Sequence, residues 1–272
     1  MQNQMKPSRK NIIGMLHIQA LPGTPGNIMN MKQIIEHTLR EADIYTTAGI
    51  KTLMIENMHD TPYLNRNVGP EITACMSVLA YELCRKFDID LGVQILAGAN
   101  KDAMAVALSS GAKFIRAEGF VYSHIADEGF MDSCAGELLR YRKTIGAEHV
   151  KIVTDIKKKH SSHAITSDVS IVETAKAAEF FKADGVIITG ESTGLTANVS
   201  ELIAVKQNCN IPVLIGSGIT AENLPTYLKH ADSLIIGSSF KEGGIWYNEI
   251  SVPRVNEVVK AYNLFVEKNC SR

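Results

Sequence analysis

Along the chain, short unbroken runs of Val, Ile and Leu alternate with longer stretches in which apolar residues recur every three to four positions. The short runs predict strands near 12–16 (IIGML), 51–56 (KTLMIE), 90–96 (DLGVQIL), 113–117 (KFIRA), 150–155 (VKIVTD), 184–189 (DGVIIT), 211–216 (IPVLIG) and 232–237 (DSLIIG). The stretches between them predict helices near 31–48, 70–86, 100–110, 134–146, 170–182, 198–208, 220–229 and 252–268, with Ser170 and Asn198 as starting caps for two of them.

A strand buried on both faces shows no polar alternation, which is the habit of parallel sheets covered by helices. Eight strand–helix units within 272 residues match a closed (β/α)8 TIM barrel in count and length, so the predicted fold class is α/β. A doubly wound open sheet is the rival. The phrases "AGIKTLMIEN", "SGAKFIRAEG", "KADGVIITGE" and "HADSLIIGSS" introduce the even-numbered strands and echo a repeated unit, although any αβ turn favours a small residue there. No linker or low-complexity segment divides the chain. The expectation is one barrel domain over 1–272, with residues 1–10 as a flexible N-terminal extension.

Charge and composition then remove function classes. A net charge of −1 gives no basic surplus for nucleic acid or an acidic membrane. No apolar run reaches the roughly 18 residues of a bilayer span, so a soluble protein is expected. The N-terminal "MQNQMKPSRKN" runs straight into the first strand without a leader-like apolar region. Cys75, Cys84, Cys134, Cys209 and Cys270 form no CxxC pair and suit reduced thiols, which predicts a cytoplasmic protein and leaves organellar import open. Ile245, Trp246 and Tyr247 in "GGIWYNEI" are apolar for a loop after the last strand and are expected to cover either the site or a second subunit of a homo-oligomer.

Chemistry in such a barrel belongs at the carboxyl ends of the strands. The residues there are His17, Glu56, Asn57, Gln94, Arg116, Glu118, Asp155, Thr189, Ser217 and Ser238. Strands seven and eight break into "GSG" and "GSS" in the two positions where this fold holds phosphate. Glycine lets backbone N–H groups approach an anion, and a following helix start adds partial positive charge. Gly216, Ser217, Gly218, Gly237, Ser238 and Ser239 are therefore predicted to bind phosphate, with Lys241 adding charge.

"VTDIKKKHSSH" closes strand five with Asp155 and then supplies Lys159 and His160, groups able to orient an anion or move a proton. The long loop "IENMHDTPYLNRNVGPE" brings Glu56 and the candidate substrate contacts Asn57 and Asp60. Asp155 is the first choice of general base and Glu56 the second, with His17, Lys159 or Arg116 stabilising negative charge. Glu56, Asp60 and Asp155 are also considered as oxygen ligands of a divalent cation; no organic cofactor is indicated. "TGESTGLTANVSE" after strand six offers Gly190 and Gly194 for a sugar hydroxyl or a phosphate edge.

The set "GMLHIQALPGTPG", "IENMHDTPY", "FIRAEGFVYSHIADEG", "DIKKKHSSH", "TGESTG", "IPVLIGSGITAENL" and "ADSLIIGSSFKEGG", in this order over nearly the whole chain, resembles the BtpA family. The resemblance implies a ribulose-phosphate-binding type of barrel, without implying a known reaction. The family pattern falls on His17, Glu56, Asn57, Asp60, Arg116, Asp155, Lys159, His160, Gly190, Gly194, Gly216, Ser217, Gly218, Gly237 and Lys241. Two places depart from it: "LAGAN" keeps Asn100 but lacks the acidic residue usual after the third strand, and Glu118 stands where an Asn-like residue is common.

Two function classes follow. One is an enzyme for a small phosphorylated sugar or nucleotide-like metabolite, using proton-transfer, lyase or hydrolytic chemistry; the other is a non-catalytic assembly or stability factor, which the photosystem link of some family members suggests. A scaffold has no use for a ring of polar strand ends, which favours the enzyme.

Overall fold

Every predicted apolar run forms a strand, and the eight strands close on one another. The computed structural model describes residues 10–190 and 196–270. Its barrel strands are β1 (Asn11–His17), β2 (Thr52–Glu56), β3 (Asp90–Gln94), β4 (Phe114–Ala117), β5 (Lys151–Ile156), β6 (Gly185–Ile188), β7 (Val213–Ile215) and β8 (Ser233–Ile236). All neighbours are parallel, and β8 pairs with β1 to complete the ring. The covering helices are α1 (Met31–Thr47), α2 (Pro70–Lys86), α3 (Asn100–Ser110), α4 (Ala135–Thr144), α5 (Ile171–Phe180), α6 (Val199–Asn208), α7 (Leu224–Leu228) and α8 (Val252–Cys270).

The predicted caps are in place: Ser170 Oγ accepts the Glu173 amide at 3.1 Å, and Asn198 Oδ1 accepts the Ser200 amide at 2.8 Å. Helix α7 is shorter than expected because Thr220 to Asn223 form a turn instead. The Thr220 amide donates to Asn223 Oδ1 at 2.9 Å, and Pro225 then starts the helix. Periodicity also misses three short strands, His124–Ala126, Gly129–Met131 and Ser161–Ser162, which pair antiparallel. They bind the loop after β4 to the loop after β5. The N-terminal extension lies outside the described residues except for Lys10, which donates to the backbone carbonyls of Leu228, Lys229 and Ala231.

Two apolar layers hold the molecule. The larger packs the outward faces of the strands against the helices, with Leu16, Leu53, Ile115, Ile152, Ile188 and Ile215 among its members. The smaller fills the barrel itself with Ile13, Met15, Met54, Val153, Ile187, Leu214 and Ile235. Strand alternation then dictates what comes next. One step of two residues beyond those inward positions stand His17, Glu56, Asp155, Thr189, Gly216 and Gly237, and β3 and β4 contribute Gln94 and Arg116. Six of these eight positions are polar and buried, while the two adjacent strands β7 and β8 offer glycine. That pair leaves room at the mouth on one side of the barrel.

Candidate functional site

A cavity of about 200 Å³ opens where the two glycines stand. Both predicted phosphate loops, Gly216 to Gly218 and Gly237 to Ser239, line it together with His17, Glu56, Arg116 and Lys159. A Cβ on Gly216 would lie 2.7 Å from Ile187 Cγ2 and 3.3 Å from Arg116 Nη2, and one on Gly237 would lie 3.1 Å from His17 Nε2. Larger residues there would fill the cavity with their own side chains.

The loops are tied to each other. The Gly190 amide donates to Ser217 Oγ at 2.6 Å, Asn223 Nδ2 donates to the Gly218 carbonyl at 2.9 Å, and Ser239 Oγ donates to the Ile219 carbonyl. Two expectations about the clamp change. The Gly216 amide is bonded to the Ile188 carbonyl at 2.9 Å, so it continues the sheet. No long helix starts at either loop: β7 is followed by the Thr220–Asn223 turn, and β8 by the short 3-10 turn Ser238–Phe240.

Lys241 does not line the cavity. Its Nζ meets Glu41 Oε1 on α1 at 2.6 Å, and both side chains are buried. Arg254 in the first turn of α8 takes the predicted place of that charge: it lines the cavity and donates Nε to the Ser239 carbonyl at 2.8 Å. Nothing in the strand pattern pointed to Arg254, because it follows "WYNEISVP" rather than a strand end.

Arg116 and Asp155 form a bidentate pair, with Nε to Oδ2 and Nη2 to Oδ1 both at 2.8 Å. Their side chains are 5% and 0% exposed. Arg116 lines the cavity and uses two of its five donors on Asp155. Asp155 is not part of the lining and has both oxygens on the guanidinium. Glu56 by contrast lines the cavity, and burial pushes its carboxyl pKa up while Arg116 and Lys159 partly hold it down.

His17 is oriented from behind. Its Nδ1 lies 3.0 Å from the Trp246 carbonyl, which can only accept, so the proton sits on Nδ1 and Nε2 carries the lone pair. Nε2 lies 3.9 Å from Glu56 Oε2. Burial lowers the imidazole pKa to about 3 against the raising effect of that carbonyl, keeping His17 neutral. The half-buried Trp246 ring stands 4.9 Å from His59 and 6.1 Å from His17, while Ile245 and Tyr247 remain exposed.

Asn57 and Asp60 join three loops. Asn57 Oδ1 accepts the Leu96 amide at 2.7 Å, Asn57 Nδ2 donates to Asp60 Oδ2 at 2.8 Å, and Asp60 Oδ1 accepts the Leu21 amide at 2.8 Å. Glu118 accepts from Gln94 at 3.1 Å and from Lys158 at 3.2 Å, outside the cavity lining. His160 is exposed, and Gly194 lies outside the described residues. Glu56, Asp60 and Asp155 do not converge on a common point as cation ligands. Among the described residues the group whose ligand atoms do converge is His37, Glu41 and Glu249, where the Lys241 ammonium already sits on Glu41.

The lowered imidazole pKa values carry a pH prediction. Burial holds His17 at about 3 and His59 and His124 at about 4, whereas the unfolded chain protonates them near 6.5. Between pH 6.5 and 4 the unfolded state binds protons that the folded state refuses, so this contribution is lost as pH falls. Burial raises Glu41, Glu56 and Asp60, which act in the opposite sense. The stability advantage of the wild type over His17→Asn should therefore shrink by up to about 1.4 kcal/mol per pH unit across that window, measured by urea unfolding at pH 7, 6 and 5.

The profile of the BtpA family matches residues 8–264. A Caenorhabditis elegans protein, named as uncharacterized and mitochondrial, is 48% identical over 264 residues, which cover 95% of each chain. The photosystem I biogenesis protein BtpA of Synechocystis sp. is 30% identical over 251 residues, covering 92% of this chain and 87% of that one. The structure of (S)-3-O-geranylgeranylglyceryl phosphate synthase from Thermoplasma acidophilum in complex with its substrate sn-glycerol-1-phosphate matches with a TM-score of 0.58 at 14% identity, over 93% of this chain and 92% of that one, a likeness of fold. Among the described residues no helix is long and apolar enough to cross a membrane. With its motifs matched from the first strand to the last helix and its strands closed into the barrel those motifs implied, the chain belongs to the BtpA family.

Proposed function

We propose that the protein is an enzyme acting on a small phosphorylated sugar or related metabolite. The observation that carries this is the shared cavity: two glycine loops of the kind that receive phosphate line the same space of about 200 Å³ as a buried carboxyl group, a neutral imidazole and three cationic side chains. Arg116, Lys159 and Arg254 outnumber the single lining carboxyl, Glu56, which suits a dianionic group. The backbone at Gly218, Gly237, Ser238 and Ser239 receives the phosphate, and Arg254 adds charge beside it. Glu56, rather than Asp155, transfers the proton, because it reaches the cavity and its raised pKa lies nearer neutrality. His17 Nε2, whose lone pair is left open by the Nδ1 bond to the Trp246 carbonyl, is the acceptor that holds a substrate hydroxyl.

The printed substrate of the Thermoplasma synthase supports a phosphorylated ligand at this face of the fold. The name of the Synechocystis relative favours a second reading, an assembly factor without turnover, and the exposed Ile245 and Tyr247 would then meet a partner or a second copy. A thermal-shift panel of inorganic phosphate and phosphorylated sugars separates the two. The enzyme reading expects a rise in melting temperature that grows with ligand concentration and is weakened in Arg254→Met, with KM changed more than kcat. No shift with any phosphorylated compound would leave the assembly role.

A further inference from the structure

We propose that the end of the barrel away from the mouth carries a docking surface for a segment of another protein that sets carboxylates around an apolar anchor. A groove of about 580 Å³ lies between α4 and the last residues of α5. Leu139, Phe180 and Phe181 supply its apolar lining, and Arg140, Lys143 and Lys182 stand among them. Glu148 and Lys182 lie in the turns that lead into β5 and β6, so the groove reaches the strand starts, and an occupant leaves the cavity and its loops free. The surface is therefore independent of the function proposed for the cavity.

The side chains there are not what α5 needs for its own packing. The helix buries Thr174, Ala175 and Ala178 against the barrel. Phe180 follows Ala178 by two positions, about 200° round the helix, and is 81% exposed on the side where a surface helix carries polar residues. Phe181 is 46% exposed, and the two rings meet edge to face at 5.7 Å. Lys182 then closes the helix with φ +66°, the left-handed conformation in which glycine is the usual residue, while its amide donates to the Glu179 carbonyl at 2.9 Å. Two adjacent aromatic rings in water and a lysine in a glycine conformation both run against local stability.

The charges state what kind of occupant fits. The acidic groups beside the groove are already held: Glu148 pairs with Lys143, and Asp184 pairs with Arg142 at 2.9 Å and with Lys151 at 3.3 Å. Among the described residues Arg140 and Lys182 take part in no ion pair, and Arg140 Nη1 donates only to the Gly136 carbonyl one turn back at 2.9 Å. Two uncompensated positive charges thus flank an apolar centre, and the complementary surface presents carboxylates around an apolar side chain. A second copy docked on the same face about a two-fold axis would bring these cations against their own counterparts, which like charges oppose. The occupant is therefore a different chain.

The test pans a library of random peptides displayed on phage against the full-length protein at low salt. The expected result is enrichment of peptides with Asp or Glu on both sides of Leu, Phe or Trp. One of them, synthesised with a fluorescent label, should bind with an affinity that falls as salt rises. Phe180→Ser and Lys182→Glu should each weaken that affinity by about tenfold or more, the scale of an anchoring side chain in an interface. Phe180→Ser should leave the melting temperature unchanged, because the ring faces water. Lys182→Gly should weaken binding without lowering the melting temperature, since glycine suits the left-handed backbone, and this separates a docking role from a structural one. No enrichment, an enriched set without acidic residues, or peptides whose affinity none of the three variants changes would overturn the proposal. Self-association of the wild type in sedimentation that Phe180→Ser abolishes would give the groove to a second copy and overturn it equally.

Discussion

Asp155→Asn should destabilise the protein by about 3–5 kcal/mol, the scale for removing one partner of a buried ion pair. The Asp155 side chain is fully buried, and both of its oxygens accept from Arg116 at 2.8 Å. The substitution keeps the shape but replaces one acceptor by an NH2 group that faces the guanidinium. Arg116, whose pKa Asp155 raises against the pull of burial, then remains charged and half-satisfied inside the barrel. In a chain of this size the loss corresponds to a fall in melting temperature of roughly 10 °C. Urea unfolding with an unchanged m-value is the measurement. The double variant Arg116→Met with Asp155→Leu should recover much of the loss, because an apolar pair needs no compensation for buried charge. A melting temperature within a degree or two of the wild type would show that the pair is not structural, and would return Asp155 to the position of general base.

Glu56→Gln is the variant with the largest expected effect on chemistry. It should lower kcat by about 10²- to 10⁴-fold on the phosphorylated compound that gives the largest thermal shift, the usual scale for a lost acid–base group. The thermal shift by that compound should persist, because glutamine keeps the size and shape of the Glu56 side chain in the cavity lining. A stability cost should be small or absent: burial raises the Glu56 pKa by penalising its charged form, and glutamine removes that charge. Its contribution to stability is present below its ordinary pKa and is lost as pH rises through the raised one. The wild type should therefore lose stability relative to Glu56→Gln as pH rises, and unfolding at pH 5 and 8 measures that difference. An unchanged kcat would move the proton-transfer role to His17.

The barrel was legible in the sequence because its cause is local. Each strand is covered by helices on its outer face and by side chains of the other strands on its inner face, so "TLMIE" in β2, "GVII" in β6 and "SLII" in β8 read as nearly unbroken apolar runs. The caps Ser170 and Asn198 act within three residues of themselves and were equally plain. Strand alternation placed His17, Glu56 and Arg116 at the mouth, and the shortage of side chains in "GSG" and "GSS" marked where the space would lie.

What each of those polar groups does there was decided by partners far away in the chain. Asp155 met Arg116 across 39 positions, and Lys241 met Glu41 across 200. The Trp246 carbonyl set the proton on His17 across 229. Arg254 joined the cavity from a helix that carries no strand-end signal. Charge pairing depends on distance in space and on how much water the closed barrel excludes, and neither quantity is written in the spacing of residues along the chain. Apolar burial needs only a covered face, so the sequence determined where the chain would be buried, and the closing of the ring decided which charges inside it would be held by one another and which would face a ligand.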